Sequence, residues 1–188
     1  MHKLLFISFV FLFSCTHYYL PLSDGKLQQI DDFSVLEDGQ IIYAVSLKNW
    51  YHDPQEISDN YFPVFITINN QTTKKLKISR DDIILLDENN NQYDSIPNQE
   101  LINLVDNSSS QNLIVDKYDI GNLDKKNERI QRNIEGKNNI LRYSFHFGFI
   151  APDAKKSGFV FFPEIPSKNN KISIIIKNHK FSYIKSKN

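Results

Sequence analysis

The chain has 188 residues, room for one domain with a substantial core beside a leader and a variable insertion. Its 22 Lys and Arg balance 22 Asp and Glu, so no basic field points to nucleic acid and no acidic field to a cationic partner. A single cysteine excludes an intrachain disulfide, and the many Phe and Tyr residues suit the half-buried surfaces of a β-rich core.

His2 and Lys3 make a short basic start, followed by the apolar run Leu4–Phe13. A helix needs about 20 apolar residues to span a bilayer, so this run reads as the hydrophobic region of a secretory signal peptide over residues 1–14. It ends in Leu12-Phe13-Ser14-Cys15, which resembles the lipobox of bacterial lipoproteins. In that resemblance Leu12 holds the first position, Ser14 is the small residue before the cut, and Cys15 is the lipidated residue. It implies cleavage between Ser14 and Cys15, with acyl chains such as palmitate on the thiol and the new amino terminus. Two or more chains anchor stably where one is marginal. Thr16, not an aspartate, follows Cys15, a pattern compatible with export to the outer membrane in many diderm bacteria. The alternative is an ordinary secretory leader with a chance cysteine. Residues 15–32 are expected to be the lipidated cysteine, its tether and the first edge of the fold, and residues 33–188 the folded domain.

Asp38-Gly39 is a turn signal, and Gln40–Asn49 alternates, with Ile41, Tyr43, Val45 and Leu47 on one face. The loop Trp50-Tyr51-His52-Asp53-Pro54 carries the only tryptophan. Trp50, Tyr51 and His52 are candidate partner-binding residues, because aromatic residues dominate interface hot spots. The competing expectation is that Trp50 caps the open end of the core.

Phe62–Tyr93 is the most informative stretch. Phe62, Val64, Ile66 and Ile68 recur at period two, Asn69-Asn70-Gln71 breaks the pattern, and a short second strand leads to the apolar run Ile83–Leu86. Lys74, Lys75 and Lys77 are balanced by Asp81 and Asp82 and read as a solvated edge. Asp87, Asn89 and Asn91 invite comparison with calcium loops. An EF-hand, however, needs glycine at the sixth position and a bidentate glutamate at the twelfth, where this chain has Gln92 and Asn98. A hairpin tip is the simpler reading, with calcium the weak alternative.

Phe65–Asn70 and the run from Ile84 through Asp87 to Tyr93 resemble immunoglobulin-like β-sandwich domains of unknown function found in bacterial lipoproteins and other exported proteins. Ala151–Phe162 and Lys171–Ile176 match the later half of the same pattern. The resemblance covers about two thirds of the chain and implies an all-β, antiparallel sandwich. It implies no catalytic set and no cofactor.

Asn98–Asn139 interrupts that pattern as a polar, partly helical insertion. Gln99–Val105 is a brief helix or strand, Asn107–Gln111 a Ser/Asn-rich break, and Asp124–Glu135 a charged helix whose Ile130 and Ile134 share one face. Such a helix is expected to cover little core, and the insertion to be either a mobile loop or a partner-facing arm. Leu141–Ile150 alternates, with Tyr143, Phe145, Phe147 and Phe149 forming one aromatic face of a strand. Ser157-Gly158 opens the strand Phe159–Phe162, Ile172, Ile174 and Ile176 mark the closing strand, and His179–Asn188 is a basic aromatic tail that adds an edge strand or frays.

After processing, His17, His52, His146 and His179 remain, none at the short spacing of a helix-borne zinc site. Neither a nucleophile elbow nor a phosphate-cradling glycine loop occurs. The sequence therefore points to a non-enzymatic, lipid-anchored binding or assembly module of the cell envelope with a protein partner. One alternative is an accessory subunit joined by β-augmentation. The other is a small hydrolase or carbohydrate-active domain in which His146 is the residue to test.

Overall fold

The computed structural model describes residues 19–23, 25–115, 123–166 and 168–186, with backbone alone for 107–115 and 123–126. Ser14 and Cys15 lie outside these residues. Strands β1 (Tyr19–Pro21) and β2 (Gln28–Ile30) come first, followed by a hairpin of β3 (Phe33–Asp38) and β4 (Ile41–Ser46). Helix α1 (Glu56–Asn60) leads into β5 (Tyr61–Asn70), then β6 (Leu76–Ile78), β7 (Ile83–Asp87) and β8 (Gln92–Asp94). Helices α2 (Asn98–Val115) and α3 (Leu123–Tyr143) precede β9 (Gly148–Ile150), β10 (Ala154–Pro163), β11 (Lys171–Ile176) and β12 (His179–Lys185).

The fold is mostly β. One antiparallel sheet runs β1-β12-β11-β7-β8, a second runs β10-β5-β4-β3-β2, and β6 pairs with β9 in a small ribbon. The inner faces of the two large sheets share one core: Tyr43, Val45, Val64, Ile66, Ile68, Val160 and Phe162 from one meet Ile83, Leu85, Ile172, Ile174, Ile176, Phe181 and Tyr183 from the other. Period-two alternation puts these residues there, since successive side chains of a strand leave opposite faces. The phenol of Tyr183 crosses between the sheets and donates to the Val45 carbonyl at 2.9 Å. Burial raises its pKa above the ordinary tyrosine value, so the buried phenol stays protonated.

A second core lies on the outer face of β10. Phe159 and Phe161 project away from the sandwiched side and meet Trp50, Ile57, Leu101, Val105 and Ile140. The second half of β10, Gly158–Phe162, is thus buried on both faces, covered outside by a helical layer.

Several expectations are corrected. The insertion is helical through Asn107–Gln111, because α2 continues across that stretch. Ile130 and Ile134 stay exposed, in keeping with the expectation for Asp124–Glu135, but α3 runs on to Tyr143, and its Ile140 joins Leu101 and Val105 of α2 in the second cluster. Leu141–Ile150 is not one strand. Tyr143 closes α3, Phe145 enters the inner core, and Phe149 on β9 is 62% exposed, so the aromatic row is split over three environments. The tail expected to add an edge strand or fray does add a strand, β12, but an internal one, flanked by β1 and β11 with Phe181 and Tyr183 in the core. The first edge of the fold expected between Thr16 and Asp32 takes the form of β1 and β2, each the end strand of one large sheet.

The link between α3 and β10 depends on Gly158. The Phe145 N–H donates to the Phe159 carbonyl at 2.7 Å, and Ser144 makes a parallel bridge to Phe159. A Cβ on Gly158 would lie 2.5 Å from the Phe145 nitrogen and 2.6 Å from the Ser144 carbonyl carbon, both backbone atoms. Glycine in a strand marks just such a close backbone approach. We expect Gly158→Ala to destabilise the fold by about 1–3 kcal/mol, measured as a fall in the urea midpoint. A variant as stable as the parent would show that the crossing is not tight.

Candidate functional site

The two surfaces singled out in the sequence, the Trp50–Pro54 loop and the insertion, meet in space. The loop leaves β4 and runs beneath α3. Trp50 is 3% exposed, its indole N–H donating to the Pro54 carbonyl at 3.2 Å. Its ring meets Phe159 and Phe161 edge-on, with centroids at 5.3 and 5.2 Å. The Ser58 hydroxyl donates to the Trp50 carbonyl at 2.9 Å and fixes the loop to α1. Edge-on packing of aromatic rings adds to plain area burial, so Trp50 is the hub of the outer core. Its capping role is realised against the outer face of β10 instead of the open end of the sandwich.

His52 and Tyr51 differ from Trp50. His52 is half-buried and lies flat on Tyr143 of α3, with centroids 3.9 Å apart and planes 4° from parallel. Tyr51 is 78% exposed. Two further contacts lock the loop to α3: the Asn139 side-chain amide donates to the Asp53 carbonyl at 3.0 Å, and Gly136 faces Pro54, where a Cβ would come within 3.0 Å of the ring. Lys137 of α3 pairs with Asp106 of α2. Gly136, Ile140 and Tyr143 recur at helical spacing on the face turned to the fold.

A second face of α3 is apolar as well. Ile130, Ile134 and Leu141, at i, i+4 and i+11, are 43%, 49% and 49% exposed. Gln131, Glu135, Asn138, Asn139 and Arg142 rim a shallow groove containing Ile134 and Leu141. Sequence reasoning found Ile130 and Ile134 as a pair but missed Leu141, because the aromatic alternation drew the strand boundary through it.

The tip carrying Asp87, Asn89 and Asn91 is an Asx-type knot. Asp87 Oδ1 accepts the Asn89 and Asn91 N–H groups at 2.8 and 2.9 Å, and Oδ2 accepts the Asn91 side-chain amide at 2.8 Å. The Tyr93 hydroxyl and the Asn169 amide approach Oδ2 at 3.4 Å. All five contacts are donors, which satisfy the carboxylate where a cation would need its lone pairs. Among the described residues no His, Cys, Asp and Glu cluster could hold a metal. Burial alone would raise the Asp87 pKa, but the hydrogen bonds from Asn91, Asn89 and Asn169 outweigh it and hold it below the ordinary value.

His146 is exposed, and among the described residues no carboxylate or hydroxyl is hydrogen-bonded to it. His179, at the other end of the sheets, lies 3.2 Å from the Asp38 carboxylate and packs on the Tyr43 ring at 4.9 Å. Among the described residues neither histidine is hydrogen-bonded to a nucleophilic hydroxyl or thiol.

Trp50→Ala should cost about 3–5 kcal/mol by chemical denaturation, and Tyr51→Ala no more than about 0.5 kcal/mol. Equal effects would contradict the division between hub and surface. The folded-state pKa of Asp87 lies below its unfolded value, so its stabilisation is present above the unfolded value and lost as pH falls through the folded one. Asp87→Ala should therefore flatten the acid limb of a stability–pH curve while calcium leaves the parent melting temperature unchanged. A calcium-induced rise would restore the metal reading.

Comparison with protein-family models, curated proteins and solved structures finds no match for this chain.

Proposed function

We propose that this chain is a lipid-anchored, non-enzymatic binding or assembly module of the bacterial cell envelope, with an immunoglobulin-like sandwich as its frame. The lipobox-like Leu12–Cys15 segment supports the anchor, with Cys15 acylated, and Thr16 supports an outer-membrane address. Two five-stranded antiparallel sheets around one core support the frame. Among the described residues no helix is long and apolar enough to cross a membrane.

The observation that carries the binding reading is the uncovered stripe Ile130, Ile134 and Leu141 on a helix whose other apolar face is already buried. A surface helix normally carries one apolar stripe, so a second one is surplus to the fold and suits a protein partner with an apolar face of its own. Exposed Tyr51 and the rim of Arg142, Glu135 and Gln131 supply the mixed chemistry of an interface edge. β-Augmentation has a specific observation of its own, because β2 ends one sheet with all three residues exposed.

The test is capture from gently solubilised native membranes. Ile134→Ser with Leu141→Ser should lose a partner held by the parent while stability changes by no more than about 0.5 kcal/mol. Retention of the partner by that double variant, with loss in Ile30→Pro on β2, would move the contact to the sheet edge. Capture unaffected by either would remove both surfaces from the account.

A further inference from the structure

The first strand fixes how close the domain stands to its anchor. Only Thr16, His17 and Tyr18 separate Cys15 from β1, and four residues reach at most about 14 Å. Tyr19 is held firmly: it pairs with Lys185, its hydroxyl donates to the Asn169 carbonyl at 3.0 Å, and its ring meets Phe62 edge-on at 6.0 Å. The chain thus enters the fold where β12 ends and β11 begins.

The surface at that entry is apolar and basic. Leu20 and Ile184 are register partners on β1 and β12, and since Tyr183 points into the core, the pair points out. They are 51% and 42% exposed. Lys171 is the register partner of Ile184 on β11 and leaves the same outer face at the entry, whereas Lys180 lies toward the His179 end of β12. The acid on this face, Asp94, belongs to β8 at the far edge of the sheet. Glu88 lies near the entry, where its carboxylate accepts the Asn170 N–H at 3.1 Å. Pro21 offers no N–H for a further strand, which argues against strand addition at β1.

We propose that this edge of the β1-β12-β11 sheet rests on an anionic lipid surface, with Leu20 and Ile184 entering the headgroup boundary and Lys171 facing the phosphates. The proposal rests on acylation of Cys15. A short lead brings the edge to the bilayer, and apolar area combined with lysines binds anionic interfaces. The far end of the sheets, including the exposed loop at Thr73, then faces away from the membrane.

The chain has one cysteine, which acylation would block, so an added cysteine is a unique labelling site. Full-length protein, processed in a diderm host, is reconstituted into phosphatidylcholine–phosphatidylglycerol vesicles with spin-labelled acyl chains. A polarity-sensitive dye is placed on Ile184→Cys, on Leu20→Cys as a second reporter, and on Thr73→Cys as control. Quenching at Ile184 and Leu20 several-fold above that at Thr73, reduced by Lys171→Glu, is the expected result. Equal quenching at all three sites on a protein whose Cys15 peptide carries the acyl mass would overturn the docked orientation and leave the anchor intact. A Cys15 peptide without acyl mass would overturn both.

Discussion

Burial of the second half of β10, Gly158–Phe162, on both faces is the constraint on which the rest of the structure depends. The ten residues of β10 pair with the full length of β5, from Ala154 opposite Asn70 to Pro163 opposite Tyr61. Val160 and Phe162 belong to the inner core, Phe159 and Phe161 to the outer one. A strand buried on both sides loses the polar alternation of a half-exposed one, as Phe159-Val160-Phe161-Phe162 shows. The outer aromatic pair must be covered, and Trp50, α1, α2 and α3 cover it. The Gly158 crossing then fixes where α3 hands the chain back to the sheet.

That constraint explains why the strands were legible and the helical layer was not. Val64, Ile66 and Ile68 on β5, Tyr43 and Val45 on β4, and Ile172, Ile174 and Ile176 on β11 alternate cleanly and sit where period two places them. Gly39, with φ of 61°, makes the turn that Asp38-Gly39 announces. Among the described residues of the helical layer, Leu101, Val105 and, just past the insertion, Ile140 enter the outer core, spread over two helices within a polar background. No single window shows them as one face. Tyr143, Phe145, Phe147 and Phe149 gave a false period-two signal, because a helix end, a crossing segment and a short strand follow one another at that spacing.

The candidate site was legible in parts. Its two components, the aromatic loop and the insertion, were visible as separate segments, but their contact through Asn139, Gly136 and Tyr143 depends on tertiary packing alone. Trp50 stood out as a lone tryptophan, yet chemistry that suits a hot spot also suits a core hub, and burial decides between them. What remains at the surface is Tyr51 and the second stripe of α3. The proposed membrane edge lies on the other sheet, so anchor and partner surfaces would use different faces.

Hydrogen–deuterium exchange of the parent and Leu101→Ala tests most directly whether the helices form a separate layer seated on β10. Leu101 is fully buried in the outer core and belongs to no sheet, and sub-global units open independently when their own contacts are weakened. Protection should be lost in α2, α3 and the Trp50–Pro54 loop, with β5, β7, β11 and β12 unchanged. Protection lost evenly across both sheets, or nowhere, would contradict a separate helical layer.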